Sequence, residues 1–195
     1  MDVMKMALQR GDLLVFLGEM AERDAGYAAL VQKALSVLRM DLGLRFASVK
    51  VDSTADALSR LDADCLALRP AAVSILLGAS DVADGLPAAE TEENLSRILA
   101  RIREVLGDIP VLLIEPFLLP GHTVPVERAN FDTLLAAERR LAEKHGALFV
   151  PMDAPLCRAA DAFPPHSLSE DGIHLTPEGH GVLAKHLLDA VLPIL

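Results

Sequence analysis

The feature that most constrains the fold is an alternation that runs the length of the chain. Five short strand-like segments are separated by amphipathic stretches: four apolar runs, "LLVFLG" (Leu13–Gly18), "AVSILLG" (Ala72–Gly78), "PVLLIEP" (Pro110–Pro116) and "ALFVPM" (Ala147–Met152), and one alternating segment, "RFASVKV" (Arg45–Val51). Between and after them, Tyr27–Met40, Thr54–Leu68, Thr91–Gly107, Glu127–Gly146 and Thr176–Leu195 carry helical spacing. A run such as "LLVFLG" that is apolar at every position suits a strand buried on both faces. Strand and helix in strict alternation predict a parallel sheet with helices on both sides. The expected architecture is therefore α/β: a three-layer α/β/α domain over residues 1–195, with a five-stranded parallel sheet in flavodoxin-like, doubly wound order. Thr54 and Thr91 are expected to cap their helices, and Thr176 to cap the last one with Pro177 in its first turn. In an open sheet of this kind ligands bind at the carboxyl ends of the strands, near the switch in strand order. Those ends are Gly18–Asp24, Val51–Thr54, Gly78–Asp84 and Glu115–His122, joined by the segment before the last helix.

Charge and cysteine content narrow the function. A formal net charge of -10 argues against a nucleic-acid partner, which calls for basic surface. Cys65 and Cys157 are two thiols in a chain of 195 residues, expected to be reduced rather than bridged. The start "MDVMKMALQRGD" has no long apolar segment or small-residue cleavage site, and no run approaches the roughly 20 apolar residues of a membrane span. A cytoplasmic protein without a membrane span is the expectation.

The most chemical of the strand-end segments is "SEDGIHLTPEGH". Asp171 and His174 stand three positions apart just before a capped helix, a spacing at which a carboxylate reaches the imidazole of its own turn. A carboxylate on one ring nitrogen fixes the tautomer and frees the other nitrogen as a base. The plain alternative is a solvated Asp and His on a loop.

"DGIHLTPEGHGVLAKHL" resembles the final block of the SGNH, or GDSL-type, hydrolases, whose signature is Asp-x-x-His-Leu followed by a helix. "LVFLGEM" resembles their first block, normally Gly-Asp-Ser, and "STADALSRLDADCLALRPAAVSILLGASDV" their second and third. The resemblance implies an α/β/α fold, hydrolysis of ester bonds, an acyl ester or other small molecule as partner, and neither metal nor cofactor. Position by position, the family's nucleophilic serine falls at Met20 and its neighbouring aspartate at Glu19. The oxyanion-hole glycine falls at Val51 and the oxyanion-hole asparagine at Ser80. Gly78 and Asp81 keep the frame of the third block, while Asp171 and His174 match the last.

A thioether cannot take an acyl group as a serine hydroxyl does. Two functions are therefore open. One is a pseudoenzyme, weak or inactive as an esterase, that keeps a ligand pocket. The other is an active esterase in which His174 and Asp171 work with Ser80 or with an activated water. Ser48, Ser53 and Thr54 also lie near strand ends. Lys50 either faces the pocket or faces solvent. His122 and His166 read as loop histidines, and His145 as a helix C-terminal residue suited to the helix dipole. His180 and His186 lie on the last helix without a metal-ligand partner set. The charges of "ERRLAEK" (Glu138–Lys144) read as an exposed helix face with i,i+4 pairs.

Overall fold

The structure is a computed structural model and describes residues 7–21, 26–121 and 123–195. Its five strands are β1 (Leu13–Gly18), β2 (Arg45–Lys50), β3 (Ala72–Leu76), β4 (Val111–Ile114) and β5 (Leu148–Val150). All neighbouring pairs are parallel and the order is β2-β1-β3-β4-β5, the doubly wound arrangement expected from the alternation. The helices are α1 (Gly26–Leu38), α2 (Thr54–Asp64), α3 (Ala79–Ala83), α4 (Ala88–Leu106), α5 (Arg128–His145), α6 (Asp153–Ala160) and α7 (Pro177–Val191).

The period of two along each strand sorts the core into two layers. Leu14 and Phe16 of β1, with Leu112 and Ile114 of β4, pack against Val31 and Leu35 of α1 and Leu183 and Leu187 of α7. Val15 and Leu17, with Val73, Ile75 and Leu113, face Leu61 of α2, Leu95, Ile98 and Ile102 of α4, and Leu141 of α5. A third cluster closes the carboxyl end of the sheet: Ala79, Val82, Leu118, Phe131, Leu134 and Ile173. Among the described residues no helix is long and apolar enough to cross a membrane.

Several local expectations are corrected. Ser53, not Thr54, caps α2: its hydroxyl accepts the Asp56 N–H at 3.1 Å, which leaves the buried Thr54 side chain for another partner. Thr91 lies within α4, which starts three residues earlier behind Pro87. Helices α3 and α6 were not anticipated, being too short for a periodic signal. Thr176 does cap α7, accepting from Gly179 N–H with Pro177 in the first turn. Cys65 and Cys157 are both free thiols.

Candidate functional site

The site is assembled where β1, β2 and β3 end. Gly18 lies so close to β3 that a Cβ there would stand 2.0 Å from the Leu76 carbonyl oxygen. This contact sets the chain off the sheet, and the Glu19 N–H donates to that same carbonyl at 2.9 Å. The Glu19 side chain then turns to the β3–α3 turn, where Oε1 accepts the N–H of Gly78 at 2.9 Å and of Ser80 at 3.2 Å. From the other side, Asp81 accepts the Thr54 N–H at 3.0 Å and the Thr54 hydroxyl at 2.6 Å, and Asn94 donates to that hydroxyl. Five of the residues aligned by resemblance or by strand end (Glu19, Thr54, Gly78, Ser80, Asp81) thus form one hydrogen-bonded unit.

Glu19 is buried, and burial is the main reason its carboxyl is pushed up to about 7. The Ser80 and Gly78 N–H groups pull the other way, the Asp81 charge adds to the rise, and the Ser80 hydroxyl opposes it. Met20 follows with φ at +57° and only 8% exposure. A left-handed backbone is uncommon for a residue with a side chain, and such positions gather at functional turns. Its thioether packs in the same apolar layer as Phe16, Ala21, Tyr27 and Leu119. Val51 is buried, and its N–H donates to the Gly18 carbonyl at 3.3 Å.

Asp171 and His174 form the second part. Asp171 Oδ2 lies 2.6 Å from His174 Nδ1, while Oδ1 accepts the N–H of Ile173 at 3.0 Å and of His174 at 2.8 Å. Partial burial works against ionisation of this carboxyl. The His174 N–H, the imidazole and the Ile173 N–H outweigh it and lower Asp171 to about 2. Ser169 braces the turn, donating to the His174 carbonyl at 2.6 Å. The imidazole is exposed and opens on a cleft lined by Thr123, Glu170, Asp171, Leu175, Thr176 and Pro177. The two parts meet through Ile173, which shares the apolar cluster of Ala79 and Val82 on either side of Ser80. No hydrogen bond joins the imidazole to Ser80.

The other candidates have separate roles. The Ser48 hydroxyl accepts from Gln32, and Ser53 caps α2. Lys50 is exposed and lies 3.7 Å from Asp52. His145 lies against Ser96 Oγ at 3.1 Å, and burial, with Lys144 and Arg103 adding to it, lowers its pKa rather than favouring a helix-end cation. His180 Nδ1 accepts the Tyr27 N–H. His166 is exposed with φ at +65°, and His122 lies outside the described residues.

The "ERRLAEK" reading is wrong in one residue that matters. Arg139 and Arg140 do face outward, pairing with Glu115 and Glu92 rather than at i,i+4. Glu138, however, is fully buried beneath Gly78. Its signal was present: Phe131, Leu134, Glu138 and Leu141 fall on one helical face.

A family model described as the GDSL-like Lipase/Acylhydrolase family matches residues 15–182. An acetylxylan esterase from Geobacillus stearothermophilus is 28% identical over 181 residues, spanning 88% of this chain and 83% of that protein. Its crystal structure matches with a TM-score of 0.83 at 23% identity, over 94% of this chain and 95% of that one. Catalytic mutants of that esterase replace a serine, an aspartate or a histidine with alanine, the last two lying three positions apart in its chain. An α/β hydrolase enzyme from the metagenome of Lake Arreo, Spain, matches with a TM-score of 0.84 at 26% identity, over 97% of this chain and 99% of that one.

Proposed function

Because the chain belongs to the GDSL-like lipase/acylhydrolase family, we propose that it descends from an ester hydrolase and that its acyl-enzyme route is closed at Met20. On this reading the Asp171–His174 pair still works beside a cleft for a small acyl ester. The observation that carries it is the contrast between the two halves of the site. The imidazole is held by an ionised carboxylate, while the left-handed position after β1 holds a buried thioether with no proton to give up.

Two further features support the reading. The Val51 N–H is spent on the Gly18 carbonyl, and the Ser80 hydroxyl that stands at the asparagine position is engaged by Glu19, so neither is left pointing at a developing oxyanion. Losing one such donor costs on the order of 100- to 1000-fold in rate, and losing a triad nucleophile about a millionfold. The residual chemistry is general-base activation of water by His174, which needs no covalent intermediate.

The test uses p-nitrophenyl acetate. The wild-type protein should show slow turnover that His174→Ala removes. Met20→Ser should raise the rate by several orders of magnitude and create a site for a fluorophosphonate label at position 20. If the label instead lands on Ser80 of the wild-type protein, Ser80 is the nucleophile and the reading falls. It falls equally if Met20→Ser leaves the rate unchanged.

A further inference from the structure

Among the described residues the most anomalous group is Glu138. It sits on the core-facing side of α5, between Leu134 and Leu141, with no measurable exposure. Neither of its carboxyl oxygens has a hydrogen-bond partner. Its Oε1 lies 3.2 Å from where a Cβ on Gly78 would stand, so the carboxyl presses against the turn that carries Ser80. Each neighbouring element brings its own polar group. The segment after β1 supplies Glu19, α3 supplies Asp81 and the end of β4 supplies Glu115, while α4 places the Thr91 methyl against Gly78, its hydroxyl donating to the Pro87 carbonyl. Those three carboxyls are all engaged: Glu19 with Gly78 and Ser80, Asp81 with Thr54, and Glu115 with the N–H groups of Met152 and Asp153 and with Arg139. Glu138 alone has nothing.

An isolated carboxylate in a dry interior is too costly to persist, so the group keeps its proton. Burial, then the charges of Glu115, Glu19 and Asp81, push it well above the ordinary carboxyl range. A leucine would fill the same helical slot without that burden. A local rule broken at such a place points to a role.

We propose that Glu138 is a positioning residue for the Gly78–Asp81 turn. As an uncharged acid it lets Glu19 and Asp81 clamp the turn to β1 and α2; as a carboxylate it repels both and opens the clamp. The ionising proton passes to bulk water, and the only change on the protein is one negative charge beneath Gly78. The turn carrying Ser80 is therefore released on the alkaline side. Nothing in this requires that the chain hydrolyse an ester, so it can fail or hold independently of the function proposed above.

The experiment is a pH titration of uniformly 15N- and 13C-labelled protein, followed at the Gly78 and Ser80 amides and at the Glu138 side-chain carboxyl carbon. Wild type should show two steps at these amides. The first, near pH 7, is Glu19 losing its proton. The second, at higher pH, should coincide with ionisation of Glu138 and with at least a tenfold loss of amide protection against exchange. In Glu138→Gln the first step should remain and the second disappear. The wild-type carboxyl signal gives an independent reading should the variant fold poorly. A Glu138 already ionised at pH 6, or a second step that persists in Glu138→Gln, would overturn the proposal. So would a wild-type turn that stays protected until the whole protein unfolds, at the same pH as the variant.

Discussion

Glu19→Gln should change how stability depends on pH, and by an amount the structure fixes. Glu19 Oε1 accepts both N–H bonds of the turn, and a glutamine oxygen can accept the same two. The substitution therefore keeps the clamp and removes only the titration. In the folded protein the carboxyl is raised from 4.5 to about 7, chiefly by burial. The folded state then binds more protons than the unfolded state between these values. The contribution of Glu19 is complete below pH 4.5 and is lost as pH rises through 7. At about 1.4 kcal/mol per pH unit, the loss is about 3 kcal/mol. Urea denaturation of both proteins at half-unit intervals from pH 4 to pH 8 measures it. The stability of Glu19→Gln relative to wild type should climb by about 3 kcal/mol across that window and level off above it. Titrating groups that do not feel the Glu19 charge contribute to both curves and cancel in the difference. A difference that stays flat across the window would mean that Glu19 is not buried against Gly78 and Ser80 as described, and the account of the turn would fall with it.

Other substitutions probe the remaining joints. Thr54→Val removes the hydroxyl that Asp81 accepts at 2.6 Å and should cost about 1–3 kcal/mol in urea denaturation, because Asp81 is left under-bonded in the interior. Gly18→Ala drives a Cβ to 2.0 Å from the Leu76 carbonyl, and Gly179→Ala to 2.2 Å from that of Leu168. In thermal melts each should destabilise by about 3 kcal/mol or fail to fold, whereas Gly181→Ala, with open space around it inside α7, should stabilise by about 0.5–1 kcal/mol. In the Met20→Ser background, Asp171→Asn should lower the esterase rate by roughly 10⁴-fold, as expected when an imidazole loses its orienting carboxylate. Because Asp171 is lowered to about 2, its stabilising contribution is present above pH 3.8 and is lost as pH falls through 2. Melting temperatures taken through this range should fall less steeply with acidification for Asp171→Asn than for wild type.

The sheet was legible because its pattern is redundant. β1 and β4 are apolar on both faces, each long helix shows one stripe, and the alternation leaves few topologies. β1 was read to the residue because Gly18 ends it. What the pattern missed was set by contacts distant in sequence. Thr54 looks like a cap and is one residue too late, since its hydroxyl is claimed by Asp81, 27 positions away. Helix α6 begins at Asp153, whose side chain accepts the Leu118 N–H from across the sheet edge. No local window contains either partner. A capping motif that closes on itself, Thr176 with Gly179, could be placed from the sequence alone, as could Gly107 at the end of α4.

The candidate site divides along the same line. Asp171 and His174 are three residues apart, so a short-range pattern suffices to pair them. Glu19 and Ser80 are bound across 61 positions, and Glu138 reaches Gly78 only through the packing of α5 on the sheet. Glu138 sat in view as a charged residue in a charged string, and the run "ERR" hid that its first member falls on the apolar face. A helical wheel over Phe131, Leu134, Glu138 and Leu141 separates it from Arg139 and Arg140. That separation carries a functional consequence. Met20 and Ser80 lie on turns that Glu19 joins, and Glu19 is set in turn by its carboxyl neighbours. Placing a hydroxyl at position 20 therefore tests the chemistry, while removing the ionisable proton at position 138 tests the support beneath the Gly78–Asp81 turn. The two experiments answer different questions about two turns that Glu19 joins.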